Sequence, residues 1–303
     1  LSCVSALAAE AWTVTCPWAP SGVAAMVNQK AASLSTTYSQ DYVLVANAEK
    51  GDTATINSWL TKYTEADPQM CFIGEGMFGI TAILDPERMN FTYDDFEYVE
   101  NLYSSIFVAS ARKELGLTSI DALKAYLEEG NQIMVGTNGA TGSEAFLAAA
   151  LIGAMGYGDQ FYLIPYESAA EAAQAVARGE VDIAVSHQSQ ILETWQQGGV
   201  DVFAAFDGEP IAQGPFKGVE GVGQYGYPYF RNRCFIFAKA GADEQKIADL
   251  KALYAQILTD EEMVDWLNNT MLLEADMMTE EEVIAHIDNV KNIVEEYYDL
   301  VAE

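Results

Sequence analysis

Positive charge is the scarcest property of this sequence. Fifteen Lys and Arg stand against 45 Asp and Glu, a formal charge of −30 at pH 7. So acidic a body repels phosphate backbones and anionic lipid surfaces, which excludes nucleic acid and such membranes as partners. Histidine is reduced to His187 and His286, and the four cysteines form no Cys-x-x-Cys. A metal centre built from Cys and His is therefore not expected. Four cysteines are also too few to serve as a disulfide framework for 303 residues. Cys16, Cys71 and Cys234 sit in or beside apolar runs, where a buried, inert thiol is the expected outcome. No run reaches the roughly 18 apolar residues that a membrane-spanning helix needs. Finally, there is no Gly-x-Ser-x-Gly elbow and no Cys–His pairing near a loop, so hydrolytic chemistry has no visible centre.

What the chain does have is apolar content, half of its residues, enough for two α/β domains. Short apolar runs at Trp12-Thr13-Val14-Thr15-Cys16, Tyr42-Val43-Leu44-Val45-Ala46 and Met70-Cys71-Phe72-Ile73-Gly74 alternate with helical patterns at 23–34 and 54–63. This alternation predicts βαβ units and a mainly parallel sheet. Residues 96–111 are apolar without helical spacing and read as one long strand crossing between domains. A second block repeats the alternation. It has a capping box at Thr118-Ser119-Ile120-Asp121 opening a helix with Ile120, Leu123 and Leu127 on one face, a strand at 132–135, a helix at 143–155, a strand at 162–166, a helix begun by Ser168 and ended at Gly179, and a strand at 181–186. Gly-rich, aromatic sequence at 208–229 reads as loop, Cys234-Phe235-Ile236-Phe237-Ala238 as a second crossing strand, and the remainder as helical. Thr259-x-x-Glu262 and Thr279-x-x-Glu282 have the form of capping boxes. Met263, Leu267, Met271 and Leu272 read as core.

One loop carries more information than the rest. Gly136-Thr137-Asn138-Gly139-Ala140-Thr141-Gly142-Ser143 joins a buried strand to an alanine-rich helix. Its spacing is Gly-x-x-Gly-x-x-Gly, and no Gly-Lys-Ser/Thr follows, so it fits neither a dinucleotide fingerprint nor a P-loop. A Gly- and hydroxyl-rich loop opening a helix offers free amides at a positive dipole end, which suits an anion; a plain tight turn is the rival reading.

Read in order, these pieces resemble the extracytoplasmic receptors of tripartite tricarboxylate transporters, the Bug receptors, over residues 12–300. The family's first binding loop is matched by Pro17-Trp18-Ala19-Pro20-Ser21-Gly22-Val23-Ala24-Ala25, with Ser21 in place of its first glycine and Ala25 in place of its Asp. That Asp is associated with ligand ammonium groups, so its loss implies that an amino-acid ligand is disfavoured. The 136–143 loop matches the family's second cluster. Ile164-Pro165-Tyr166-Glu167-Ser168 and Gly179-Glu180-Val181-Asp182 follow at family spacing, whereas the family's downstream Pro-Thr-x-x-Glu-x-Gly has no counterpart at 217–226.

The resemblance implies an α/β, two-domain periplasmic-binding-protein fold of type II, a Venus flytrap with two crossing strands. Residues 9–106 and 232–303 would form lobe 1 and 107–231 lobe 2. Residues 1–8 would be a signal-peptide remnant, with Cys3 an alternative lipid anchor. The implied function is a periplasmic, exported, monomeric, non-catalytic receptor that uses no cofactor or metal. It captures a small carboxylate and delivers it to membrane permease subunits. The ligand contacts expected are Trp18, Ser21, Gly22 and Ala24 from the first lobe, and Thr137, Asn138, Thr141, Ser143 and Tyr166 from the second.

Competing uses remain for several residues. Trp18 and Tyr166 would otherwise pack, Asp182 would bond a loop or helix, His187 would be a satisfied surface histidine at the cleft rim, and Arg231 and Arg233 would form salt bridges at the hinge. A charge of −30 opposes an anionic ligand, although screening limits that field to about 8 Å at physiological salt. Trp18, Tyr166, Trp195 and Tyr225 leave a neutral or aromatic ligand as an alternative, and an enzyme on the same scaffold as a more distant one.

Overall fold

The computed structural model describes residues 8–301, apart from the side chains of Leu300 and Val301. The signal remnant and the Cys3 anchor, Ala8 aside, lie outside the described residues.

Two five-stranded sheets organise the chain. In the first, β1 (Glu10–Cys16), β2 (Tyr42–Ala48) and β3 (Gln69–Gly74) run parallel, joined by α1 (Val23–Tyr38) and α2 (Thr53–Lys62). After β3 the chain makes a π-helical turn, Met77–Thr81, and a short helical turn α3 (Ala82–Leu84), before β4 (Phe96–Ser105). The segment expected as one crossing strand breaks at Ile106: β4 belongs to the first sheet and β5 (Phe107–Arg112) to the second. There α4 (Ile120–Glu128), β6 (Ile133–Asn138), α5 (Ser143–Ala154), β7 (Phe161–Tyr166), α6 (Ala169–Ala177) and β8 (Ile183–His187) repeat the βαβαβ pattern.

Two elements escaped the sequence reading, α7 (Gln188–Gln196) and β9 (Val200–Ala205). α7 carries a short apolar stripe, Ile191, Leu192 and Trp195, against the second-lobe core, but of these only Ile191 is buried. β10 (Asn232–Lys239) pairs with β3 and β4 alone, so the return crossing falls in the irregular segment before Asn232 and not within the strand. The chain ends in α8 (Glu244–Leu258), α9 (Glu261–Trp266), α10 (Glu280–Glu296) and α11 (Tyr298–Val301).

The two sheets have the same spatial order, β2-β1-β3-β10-β4 and β7-β6-β8-β5-β9. Each therefore has three parallel strands whose carboxyl ends point one way, then one reversed strand (β10 or β5), then an edge strand (β4 or β9) that runs with the first three. Each sheet is buried on both faces, which explains near-continuous apolar strands such as Met70-Cys71-Phe72-Ile73. α1, α8 and α9 cover one face of the first sheet, and α2 with the π turn the other. α4 and α5 cover one face of the second sheet, and α6 and α7 the other.

The C-terminal helix α10 does not belong to the first lobe alone. Val283 and Ile287 pack with Phe78 and Phe237 of the first lobe, while Val290 and Val294 enter the second-lobe core with Phe146 and Leu147. Caps behave as side-chain chemistry dictates. Ser119, Ser168 and Thr279 accept the first-turn amides of α4, α6 and α10. Thr259, however, bonds back to Ala255 at the end of α8, and it is Asp260 that caps α9 by accepting Met263 N–H. The three described cysteines are buried and free, and burial pushes the Cys16 thiol up to about 12.

At Gly79, in the π turn, an added Cβ would lie 2.5 Å from Val290 Cγ1 and 2.9 Å from its Cβ. Gly79→Ala is expected to lower stability by about 1–3 kcal/mol, because α10 must move off the turn to admit one methyl group. Chemical denaturation at a common pH checks this; an unchanged midpoint would show that α10 is not seated there.

Candidate functional site: an acid-lined cleft between the lobes

Because both sheets turn the carboxyl ends of their parallel strands inward, six loops meet between the lobes. The loops after β1, β2 and β3 face those after β6, β7 and β8, the position where open α/β sheets bind ligands. They enclose a cavity of about 510 Å³.

Two of these loops start helices in the same manner. Gly22 precedes α1 and Gly142 precedes α5, both in extended conformation, and neither helix has a side-chain cap. The first-turn amides are thus left to whatever enters the cavity. In the second loop, Gly139 adopts φ +73, a turn that other residues adopt only with strain, and its N–H donates to Tyr166 O at 3.1 Å. Of the contacts expected from sequence, Trp18, Gly22, Ala24, Asn138, Thr141, Ser143 and Tyr166 line the cavity. Ser21 and Thr137 do not. Ser21 is exposed on the outside of its turn, and Thr137 is fully buried with its hydroxyl donating to Gly139 O at 2.7 Å, which shapes the loop from behind.

Several lining residues went unread in the sequence: Lys50, Asp52, Glu75, Arg88, Glu144 and Asn232. Glu75 lies at the end of β3, fully buried. Its Oε1 accepts from Ser143 Oγ at 2.9 Å and Asn232 Nδ2 at 3.0 Å, and its Oε2 accepts from Arg233 N–H at 2.8 Å. Burial raises its pKa and these donors oppose the rise. The signal for it was legible: Gly74-Glu75-Gly76 puts a charge between two glycines directly after an apolar strand. Glu144, in the first turn of α5, is 5% exposed. Burial, reinforced by the neighbouring Glu75 and Asp52 charges, lifts it to about 7, with its own N–H and the Asn138 side chain as the opposing supports. Asp52 sits at φ +51, an unusual backbone for a residue with a side chain, and burial raises it too.

Among the described residues the cations that line the cavity, Lys50 and Arg88, are both well exposed. Arg88 Nη2 pairs with Asp52 at 3.4 Å, and its Nη1 donates across the cleft to Thr141 Oγ1 at 3.0 Å. Lys50 reaches Glu167 at 2.7 Å, joining the topologically equivalent loops after β2 and β7. Together with the Ser143–Glu75 bond, these contacts hold the lobes closed over the cavity.

His187 is not a surface residue. It lines the cavity at 8% exposure, its Nδ1 lies 2.8 Å from Ser105 Oγ, and burial drives it down to about 3, so it is neutral at physiological pH. Asp182 binds Met134 N–H and Arg112, and Arg231 and Arg233 pair with Asp207, Glu274 and Asp276 beside the return crossing. Trp195 packs on Phe216 and Tyr225 stacks with Tyr227, both away from the cavity, which leaves Trp18, Tyr103, Phe107 and Tyr166 as its aromatic walls. Among the described residues no group of three or more His, Cys, Asp or Glu is arranged to hold a metal ion.

No family model and no curated protein sequence matches the chain. Solved structures do. An adipate-bound protein of R. palustris, Rpa4515, superimposes with a TM-score of 0.83 at 15% identity over 96% of each chain. The periplasmic binding protein BugD gives 0.82 at 16% identity, over 97% of this chain and 98% of its own. MatC from Rhodopseudomonas palustris with bound malate gives 0.79 at 17% identity, over 96% and 98%. The chain has the two-lobed periplasmic-binding-protein fold over nearly its whole length.

The ionisation of Glu144 has a consequence for stability. Its folded pKa lies above its unfolded value, so the folded state holds the extra proton between the two. The carboxyl therefore weighs against folding increasingly as pH rises from about 4.3 to 7, and fully above that. Glu144→Gln is expected to raise the melting temperature of the ligand-free protein at pH 8, with a ceiling of about 3 kcal/mol, and to leave it unchanged near pH 4. Melting curves of both proteins at the two pH values check this; an equal shift at both would mean that the carboxyl is not desolvated.

Proposed function

We propose that the chain is a solute-binding receptor that closes its two lobes over one small molecule bearing a carboxylate. The observation that carries this reading is the opening of α1 into the closed cavity. Its first turn has no side-chain cap and no acidic residue, and Gly22, Val23 and Ala24 line the wall. Free amides at a positive helix end are a built receptor for a carboxylate. The fold it shares with adipate- and malate-bound proteins supports the same reading.

A receptor rather than an enzyme fits the side chains. Ser143 donates to Glu75 but has no histidine relay, and the Ser105 hydroxyl beside His187 is buried outside the cavity wall. Delivery to the permease subunits of a tripartite tricarboxylate-type transporter, from a periplasmic location and as a monomer, completes the proposal. No helix among the described residues is long and apolar enough to cross a membrane.

Thermal melting of the purified protein against carboxylates, amino acids and neutral solutes tests the reading. One class should raise the melting temperature by several degrees at saturation, with no turnover of the solute. Ser143→Trp should abolish the response, since an indole there fills the cleft and displaces the Glu75 contact. An unaltered response in that variant would place the binding site elsewhere.

A further inference from the structure

We propose that His187 is a specificity-determining residue whose Nε2–H donates to an uncharged oxygen of the solute, so that the preferred ligand is a hydroxy- or oxo-substituted monocarboxylate. This rests on the receptor reading above and names the chemical class of its ligand.

His187 ends β8 and opens α7, at the carboxyl edge of the second sheet. The Phe107 ring of the neighbouring strand β5 lies against its imidazole, 4.7 Å between centroids. Its Nδ1 lies 2.8 Å from Ser105 Oγ, and its backbone N–H donates to Gln190 Oε1 at 3.3 Å. What surface it keeps, 8%, is on the cavity wall. Among the described residues Nε2 has no hydrogen-bond partner, yet it is not sealed as the Nε2 of His286 is. A fixed, nine-tenths-buried imidazole therefore presents one unpaired nitrogen to whatever fills the cleft.

The Ser105 contact decides what that nitrogen offers. Ser105 is 2% exposed, and its hydroxyl has no other partner among the described residues. With the proton on Nδ1, the Ser105 O–H would be a buried donor without an acceptor, which is costly. The hydroxyl therefore donates to Nδ1, and the neutral ring carries its proton on Nε2. Nε2 is thus a donor that calls for an oxygen. A methylene leaves it stranded, and an ammonium has no lone pair to give it.

Charge separates an uncharged oxygen from a second carboxylate. The opening of α1 takes one carboxylate. The other helices that open at the cleft carry an acid in or before the first turn, Asp52 before α2, Glu144 in α5 and Glu171 in α6. The exception is α7, but its leading residues Gln188 and Ser189 do not line the cavity, so its amides do not open there. Arg88 and Lys50 are already paired with Asp52 and Glu167. A hydroxyl or carbonyl asks for a donor and no counter-charge, which a neutral imidazole supplies. Between the two ends, the Trp18 and Phe107 walls suit a hydrocarbon body.

Isothermal titration tests this with hydroxy- and oxobutyrates against butyrate, aminobutyrates and succinate, and with the same series built on hexanoate and adipate. One hydroxy or oxo acid should bind at least about tenfold more tightly than its parent, its amino analogue and the dicarboxylate, because each of these leaves the donor unpaired or meets uncompensated acids. His187→Phe keeps the packing on Phe107 and removes the donor. It should abolish the preference over the parent while leaving the parent's affinity in place, and His187→Gln, whose amide still donates, should restore part of it.

The unmodified protein gives a second readout. Nitrogen NMR of its two imidazoles should show the His187 proton on Nε2. That N–H should move downfield with the hydroxy or oxo acid and stay in place with the parent. A proton on Nδ1, a preference that survives His187→Phe, or equal or tighter binding of the parent, the amino analogue or the dicarboxylate would overturn the inference and leave the receptor reading standing. Silence towards every carboxylate would overturn both.

Discussion

Glu75 is the residue on which the closed structure turns. It sits at the carboxyl end of β3, yet its hydrogen bonds run to Ser143 at the head of α5 in the second lobe and to Asn232 and Arg233 at the start of β10. One side chain thus joins the first sheet, the second lobe and the point where the chain re-enters the first sheet. Ionised, it needs all of these donors, because it has no cation beside it; the donors in turn are oriented by it. The arrangement also brings a negative charge close to Glu144, and the two together set the character of the cleft.

That character follows from a repeated topology. Both sheets place the strand that begins the βαβαβ run between the other two strands of that run, so equivalent loops converge, and equivalent helices open into the same space. Their chemistry is not equivalent. The first turn of α1 is Val23-Ala24-Ala25, with bare amides, whereas that of α5 begins Ser143-Glu144, with a carboxylate folded into the dipole end. A symmetric scaffold carries an asymmetric site, positive at one end and negative at the other. The ion pair between Lys50 and Glu167, which joins the two equivalent rim loops, is well exposed and adds little to closure energy beyond geometry.

Much of the architecture was legible in the sequence because it is written in local periodicity. The strand–helix alternation, the Gly-rich loop ending at Ser143, and the Ser168 and Thr279 caps all depend on neighbouring residues and are found where expected, while the box at 118–121 is shifted by one, with Ser119 as the cap. The lobe boundary expected at 106/107 coincides with the change of sheet, but the division of the run into two strands at Ile106 was not legible, since β4 and β5 are equally apolar and only their partners differ. Neither was the double allegiance of α10, whose single apolar stripe serves two cores. In the site, glycines and hydroxyls in Gly-rich loops drew attention, and most of them do line the cavity. Glu75 was marked only by its two flanking glycines, Glu144 did not stand out in a chain with 45 acidic residues, and Asn232 sits in no motif. An acidic residue becomes informative only when it is known to be buried and without a counter-ion, and burial is a property of the fold.

A crystal structure of the protein with its tightest-binding solute tests the central claim most directly. The account predicts one solute in the cleft, its carboxylate against the amides of Val23 and Ala24 at the opening of α1. A solute bound outside the cleft, or one turned so that its carboxylate meets Glu144, would contradict it.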